Sequence, residues 1–524
     1  MLGTSCVVSP LNLEGKRAAV APLRRALTRT MRHLVLVSIA LIMLAGGSEA
    51  KEKVLTVGAA TFPSSLMTGV GSFTSESLIL QTYDPLVMRD NEGKFVPGLA
   101  TSWEPTGDAV WRFHLRKGVK WHDGQEFTAD DVKFTIDRVI DPKTAYGFLG
   151  RISQVSGATV VDPYTIDIVT KGVFPNLPKG LADIVIEAKH YYEKVGPEVP
   201  KRQPMGTGPF IAKNWVPGDR YELVANVDYW KGAPKVDRLV IRQIPEAATR
   251  VAALLSGEVQ IIEEVPVDVI DEIQSSNRAK VLSIPTSASL VLTYDTRRPP
   301  LNDPRVREAF DYAVDKDAII AQILKGKAEK LQGQLLTSRT FGFNPSIKAR
   351  AFDPAKAKQL LKEANFDFSK PVSIMTQSGK YLSDVDICNA IAGMLQAIGV
   401  KADVNVVESA VYLKQWSALE MGSMYMVGWY SLNDADFATV WYTEGSRRGV
   451  WKSAEFEKLF VEARSTNDAS AREQAYHRMM QIMHDENPSM FLFGIPSIYA
   501  VGGSVRNFGA ASDKVLRLDA VSLD

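Results

Sequence analysis

One stretch, residues 111–140, limits the folds open to this chain more than any other, because it writes a strand, a tight turn and a capped helix in succession. Trp111, Phe113 and Leu115 alternate with Arg112, His114 and Arg116, the period of a strand with one buried face. His122, Asp123 and Gly124 supply turn chemistry. Thr128 is placed to cap the next helix with Asp131 three residues on, and Phe127 to staple against Val132. Val132, Ile136, Val139 and Ile140 form that helix's apolar stripe.

The same alternation of strand-like and helix-like segments continues and argues for α/β lobes. Val54, Thr56 and Gly58 begin a strand that runs into residues 60–63, and residues 77–83 read as helical. Strands are expected over 238–244 and 259–262, with a helix over 246–256 stopped by Gly257. Helices are expected over 303–323 and 353–364. Residues 372–376 read as a strand, 384–398 as a helix ended by Gly399, and Val400, Ala402, Val404 and Val406 alternate as a second strand. This is a βαβ unit. Its first loop, residues 377–381, therefore lies beyond the carboxyl end of a parallel strand, where open α/β sheets bind ligands.

A further strand over 424–429 opens into a polar loop, residues 430–437, that holds Asp434 and Asp436 between aromatic residues. If both loops face one cleft, the first offers Lys380 and the second carboxylates, a pairing that fits a zwitterion. Each residue also has a structural reading. Asp436 can cap a helix beginning at Phe437, Trp429 can belong to the core, and Lys380 can be a solvated surface charge.

Residues 1–50 read as an export signal. Residues 34–44 are an apolar run too short to span a bilayer, Arg29, Arg32 and His33 precede it, and Ser48 and Ala50 place small residues before Lys51. Cleavage is expected after Ala50, and the segment from Met31 onward is a complete short signal on its own, so the true start is expected there. Residues 1–50 hold six of the 61 basic and two of the 60 acidic residues, which leaves the rest slightly acidic. That balance points to neither a nucleic acid nor an anionic membrane surface as partner. Cys388 is then the one remaining cysteine, so no internal disulfide forms, and a buried thiol is expected.

The string at 111–140 resembles the signature of the extracellular solute-binding proteins, family 5, of peptide/nickel-type ABC importers. YDPLV at 83–87, PGLATSWE at 97–104, GTGPF at 206–210, ALLSGEVQI at 253–261 and DPRVREAFDYAVDK at 303–316 follow in that family's order. The resemblance implies an α/β, two-lobe periplasmic binding protein of type II, cluster C-like, with mixed sheets and a two-stranded hinge. Lobe one would be 51–288 plus 492–524, with an extra subdomain at about 91–205, and lobe two 289–491. The crossings would fall near 285–293 and 494–499. It also implies a periplasmic monomer that captures a small peptide or peptide-like solute and delivers it to a permease dimer with cytoplasmic ATPases. No cofactor is implied.

In peptide-binding members an aspartate in the loop after the Gly-Trp pair, here Gly428 and Trp429, holds the ligand's ammonium group. Leu432 stands where dipeptide and oligopeptide binders carry it, so Asp434 or Asp436 is the expected replacement. Lys380 or Tyr381 would meet the carboxylate end. Trp429 and Tyr430 would line the site, and Phe62 and Ser64 would form the opposite wall by family position. Glutathione, opines, oligosaccharides, a nickel complex and haem are the alternative solutes. A secreted hydrolase is the rival class, but the chain has no G-x-S-x-G elbow, HExxH pair or Walker-type loop. His477 and His484, seven apart, have the spacing of one helical face, which suits either two metal ligands or a solvated stripe.

Overall fold

The computed structural model describes residues 52–63, 65–67, 78–144, 146–446, 449–510, 512 and 515–524. The expected signal segment with its start at Met31, and Ser64, lie outside the described residues. Among the described residues no helix is long and apolar enough to cross a membrane.

Two large sheets carry the fold. The first has seven strands in the order Ala279–Ile284, Ser497–Gly502, Ile261–Ile262, Val54–Ala59, Arg238–Gln243, Arg220–Ala225 and Phe210–Val216. Val54–Ala59 runs parallel to both Arg238–Gln243 and Ile261–Ile262, and the other pairings are antiparallel. The second has six, in the order Glu329–Lys330, Ser489–Gly494, Ala288–Tyr294, Met424–Tyr430, Val372–Gln377 and Ala402–Val407. There Val372–Gln377 is parallel to both Ala402–Val407 and Met424–Tyr430. Ala288–Tyr294 is buried along its whole length, because separate apolar clusters cover the two faces of this sheet. The chain crosses between the sheets through residues 285–287 and returns through 495–496. The crossings are tied together: the Thr286 hydroxyl donates to the Ile495 carbonyl at 2.5 Å, and the Ile495 N–H to the Ala288 carbonyl at 2.8 Å.

The strand Val110–Leu115 and helix Ala129–Ile140 form as their pattern predicts, within a four-stranded antiparallel sheet of the first lobe. Asp131 accepts from the Thr128 N–H at 3.0 Å and from the Lys189 N–H at 3.0 Å, and Phe127 and Val132 are both fully buried. Most other elements lie where the periodicity puts them, including helix Ala247–Ser256, ended by Gly257 in the left-handed region at φ 82°. The expected helix over 303–323 is instead two, Pro304–Ala313 and Lys316–Gln322. Val314 is extended, and the Asp315 carboxylate accepts from the Ala318 N–H at 2.9 Å to start a new helix. Of residues 77–83 only Leu78 and Ile79 are described as helical, before a turn. Cys388 is fully buried, and that burial pushes its thiol up to about 12.

Three of the short strings meet in space. Gly206 and Gly208 lie so close to the backbone of Thr82 that a Cβ on Gly206 would stand 1.8 Å from the Thr82 oxygen. The Gly208 N–H donates to that oxygen at 3.0 Å, and the Thr207 hydroxyl to buried Asp84 at 2.9 Å. His122 completes the junction, its N–H donating to the Gly206 carbonyl at 3.0 Å and its Nε2–H to the Gly208 carbonyl at 3.0 Å.

Burial lowers the pKa of His122 to about 4, despite the opposing Gly208 carbonyl bond. The unfolded chain, with an ordinary histidine pKa near 6.5, therefore binds more protons between these values, and stability must fall on acidification through that window. A shift of this size corresponds to about 3 kcal/mol at most. Urea unfolding at pH 7 and pH 4.5 should show a smaller loss in His122→Gln than in the parent protein.

Candidate ligand-binding site

The helix Asp384–Ala397 and its two parallel strands build the expected βαβ unit. Buried Asp384 shapes the loop before it, its carboxylate accepting from the backbone N–H groups of Gly379 at 3.2 Å, Lys380 at 2.8 Å and Tyr381 at 2.9 Å. With its backbone so pinned, Lys380 extends an exposed side chain that has no hydrogen bond or ion pair among the described residues. Tyr381 is turned inward. Its hydroxyl accepts from the Gly428 N–H at 2.8 Å, joining the loop to the neighbouring strand, and burial holds its pKa above the usual phenol range.

Met424–Tyr430 ends between two cavities. One, of about 650 Å³, is lined by Thr61, Glu264, Lys380, Tyr381, Tyr430 and Tyr499, among others. The other, of about 890 Å³, is lined by Phe148, Arg151, Trp429, Tyr430, Phe437 and Trp441, among others. Both draw walls from segments far apart in the chain. Tyr430 borders both and is 39% exposed. Trp429 serves core and cavity at once: it is buried, stacks on Trp441 at 5.3 Å, and donates its indole N–H to the Tyr442 hydroxyl at 3.2 Å. Phe62 packs on the core of the seven-stranded sheet, while its neighbour Thr61 reaches the smaller cavity.

The two loop acids are placed differently from their expected role at a ligand's ammonium group. Asp434, not Asp436, caps the short helix Ala435–Thr439, accepting from the Asp436 N–H at 3.0 Å. Asp434 has no exposed surface, and its carboxylate is held by Lys179 and by Arg472 at 3.2 Å. The Asn176 amide lies 3.4 Å from it, and Asn176 in turn accepts from Arg472 at 2.9 Å. Burial pushes the Asp434 carboxyl up, but Lys179 and Arg472 outweigh burial and hold it below the usual range. Asn176 and Lys179 lie more than 250 residues before Asp434 in the chain, so the cluster ties together two distant segments. Asp436 is also buried and takes a two-pronged bond from Arg464, at 2.5 and 2.9 Å.

Sequence reasoning missed Lys179, Arg472 and Asn176, because nothing near Asp434 in the chain marks partners so distant. It also passed over Glu264, although the positional rule applied to residues 377–381 would have found it, just past the parallel strand Ile261–Ile262. Of the histidine pair, the His484 Nδ1–H donates to the Gly333 carbonyl at 3.0 Å, and His477 lies 4.0 Å from Glu473. Among the described residues no three histidine, cysteine or acidic side chains converge as metal ligands would.

The family model for bacterial extracellular solute-binding proteins, family 5 Middle, matches residues 94–449. A dipeptide-binding protein of Escherichia coli is 32% identical over 437 residues, 76% of this chain and 80% of that protein. Heme-binding protein A of Haemophilus influenzae is 29% identical, over 80% of this chain and 82% of its own length. Among solved structures, the periplasmic binding protein DppA from Helicobacter pylori in complex with the peptide STSA aligns with a TM-score of 0.75 at 26% identity, covering 90% of this chain and 98% of that one.

Removing the buried counter-charge should be costly. Asp434→Asn leaves Lys179 and Arg472 without a carboxylate and should destabilise the protein by about 3–5 kcal/mol in urea unfolding. Lys179→Gln keeps Arg472 on the carboxylate, so it should cost less, and small-angle scattering should report a more open envelope than that of the parent.

Proposed function

Because the chain belongs to the bacterial extracellular solute-binding proteins of family 5, we propose that it captures a small peptide or peptide-like solute between its lobes and delivers it unaltered to a membrane permease. One observation carries this reading: the cavities on either side of Tyr430 take their walls from both lobes. A solute in the smaller cavity lies between the ends of both large sheets, and one in the larger cavity lies between the six-stranded sheet and the segment around Phe148 and Phe174. The crossings at 285–287 and 495–496 act as the hinge, which shifts the expected lobe boundaries at 288/289 and 491/492 by a few residues, since residues 288 and 492–494 are strand residues of the six-stranded sheet.

Capture works through differential affinity. A ligand moves the open–closed equilibrium only by its extra affinity for the closed form, about 5.5 kcal/mol for a swing from one to ninety-nine per cent closed. Trp429 and Tyr430 supply rigid aromatic surface from lobe two, Lys380 a cation, and Thr61 part of the facing wall. Asp434 and Asp436 act one step back, by fixing the loop that carries Tyr430. The closed form then docks, as a monomer in the periplasm, on a permease dimer powered by two cytoplasmic ATPases. The similarity to a dipeptide-binding protein and to a peptide-bound structure supports the peptide class.

A second reading, a planar non-peptide solute, is favoured by the aromatic walls and size of the larger cavity, and one relative is named as a heme-binding protein. Thermal unfolding of the purified protein against dipeptides, glutathione, opines, oligosaccharides, nickel–histidine and haem separates these. A ligand at a hundred times its dissociation constant should add about 2.7 kcal/mol. Dipeptides are expected to raise the midpoint and to be recovered intact by mass spectrometry. A response to haem alone would establish the second reading, and recovery of cleaved peptide would overturn capture in favour of hydrolysis.

A further inference from the structure

The charges facing the cleft have been sorted by burial. Asp434 and Asp436 are committed to the protein's own cations: Asp434 is fully buried on Lys179 and Arg472, and Asp436, which lines the aromatic cavity, is buried and takes a two-pronged bond from Arg464. The wall of the smaller cavity also holds a buried acid, Glu263, but two charges in that cavity are left exposed. Glu264 and Lys380 both line it, both side chains are exposed, and neither makes a side-chain hydrogen bond or ion pair among the described residues.

Their placement has a common origin. Glu264 follows Ile261–Ile262, which runs parallel to Val54–Ala59 in the first sheet. Lys380 follows Val372–Gln377, which is parallel to its neighbours in the second. Each therefore stands beyond the carboxyl end of a parallel strand, on opposite walls of one cavity of about 650 Å³.

The Glu264 backbone is held for this position. Its φ is 53°, in the left-handed region that side chains other than glycine rarely adopt. Buried Arg250 clamps the turn, donating to the carbonyls of Ile244 and Pro245, each at 2.8 Å, and to that of Glu264 at 3.1 Å. The next residue, Val265, donates its N–H to the Ile498 carbonyl at 3.1 Å, beside the return crossing. Backbone strain of this kind persists where surrounding structure enforces it, and it clusters at ligand-holding sites.

We infer that Glu264 of lobe one, in place of the lobe-two aspartates, holds the ammonium group of a zwitterionic solute whose carboxylate faces Lys380. The assignment rests on the reading above, that the cleft binds a small solute. It makes recognition of the two charged ends a contact between lobes: a zwitterion bridges Glu264 and Lys380 only when the walls approach, so its charge separation favours closure. A solute lacking either end gains only half of the bridge.

Calorimetry with one dipeptide in three forms, free, N-acetylated and C-amidated, tests this on the parent protein, Glu264→Gln and Lys380→Gln. Thermal unfolding without ligand checks that each variant is folded, and the isosteric Glu264→Gln change leaves the turn intact. The parent should bind the free form roughly ten- to a hundredfold more tightly than the acetylated form. Glu264→Gln should erase most of that preference while keeping the discrimination against the amidated form, and Lys380→Gln should do the reverse. A Glu264→Gln protein that still prefers the free amine as strongly as the parent would overturn this assignment alone. Failure of the parent to bind any free-amine peptide would overturn it together with the peptide reading.

Discussion

A carboxylate with no exposed surface sets the terms for the packing beside the two cavities. Asp434 caps the helix that ends the polar loop, and this places its charge where water cannot reach it. An unpaired ion there would be prohibitively costly. Arg472 meets it from 38 residues on, while Lys179 and Asn176 come from 255 and 258 residues earlier in the chain. A second contact of the same loop has a steric counterpart: the Asn433 amide donates to the Gly93 carbonyl at 2.6 Å, and a Cβ on Gly93 would stand 2.0 Å from that nitrogen. Charge compensation and the missing side chain together fix how the loop that follows Tyr430 packs on residues 93 and 176–179.

The first lobe depends on a different kind of closeness. The strings YDPLV, GTGPF and the His122 turn look unrelated along the chain, yet they form one junction. Gly206 and Gly208 admit the Thr82 backbone, Thr207 reaches Asp84, and Tyr229 and Trp230 donate to the same carboxylate, each at 2.9 Å. The glycines serve close backbone contact here. Satisfying Asp84 with several neutral donors differs from the solution at Asp434: burial still raises the Asp84 pKa, because the bonds from Trp230, Thr207 and Tyr229 and the attraction of Lys231 do not offset it.

Legibility followed the range of each interaction. The strand at 110–115, the helix from Ala129 and the βαβ unit were readable because periodicity, caps and turns act within a few residues. The break at Val314 was not, because the apolar stripe continues across it and Asp315 competes as a new cap. The role of Asp434 could not be read at all. Its loop position suggested a ligand's counter-ion, and the family resemblance pointed the same way, whereas its neutralising lysine comes from 255 residues away. Whether an acid faces solvent or a buried guanidinium is decided by tertiary packing, which local pattern does not encode. Trp429 shows the intermediate case, since the expectations of core and of site lining both describe it.

The burial that disqualifies Asp434 as a ligand contact also limits what its cluster contributes to closure. Drawing Lys179 and Asp434 out of water costs several kcal/mol per ion before any attraction is gained, so a buried pair of this kind returns little net stability. Its effect is directional: it penalises every approach of the lobes that leaves the carboxylate unmatched, and so selects one closed geometry without driving the chain into it. The driving free energy must then come from groups that keep their hydration until a solute arrives. The solvated charges at the carboxyl ends of the parallel strands and the partly exposed face of Tyr430 meet that condition. A protein arranged this way closes to one shape but needs the solute to stay there, which is the behaviour a carrier requires if its permease is to distinguish loaded from empty.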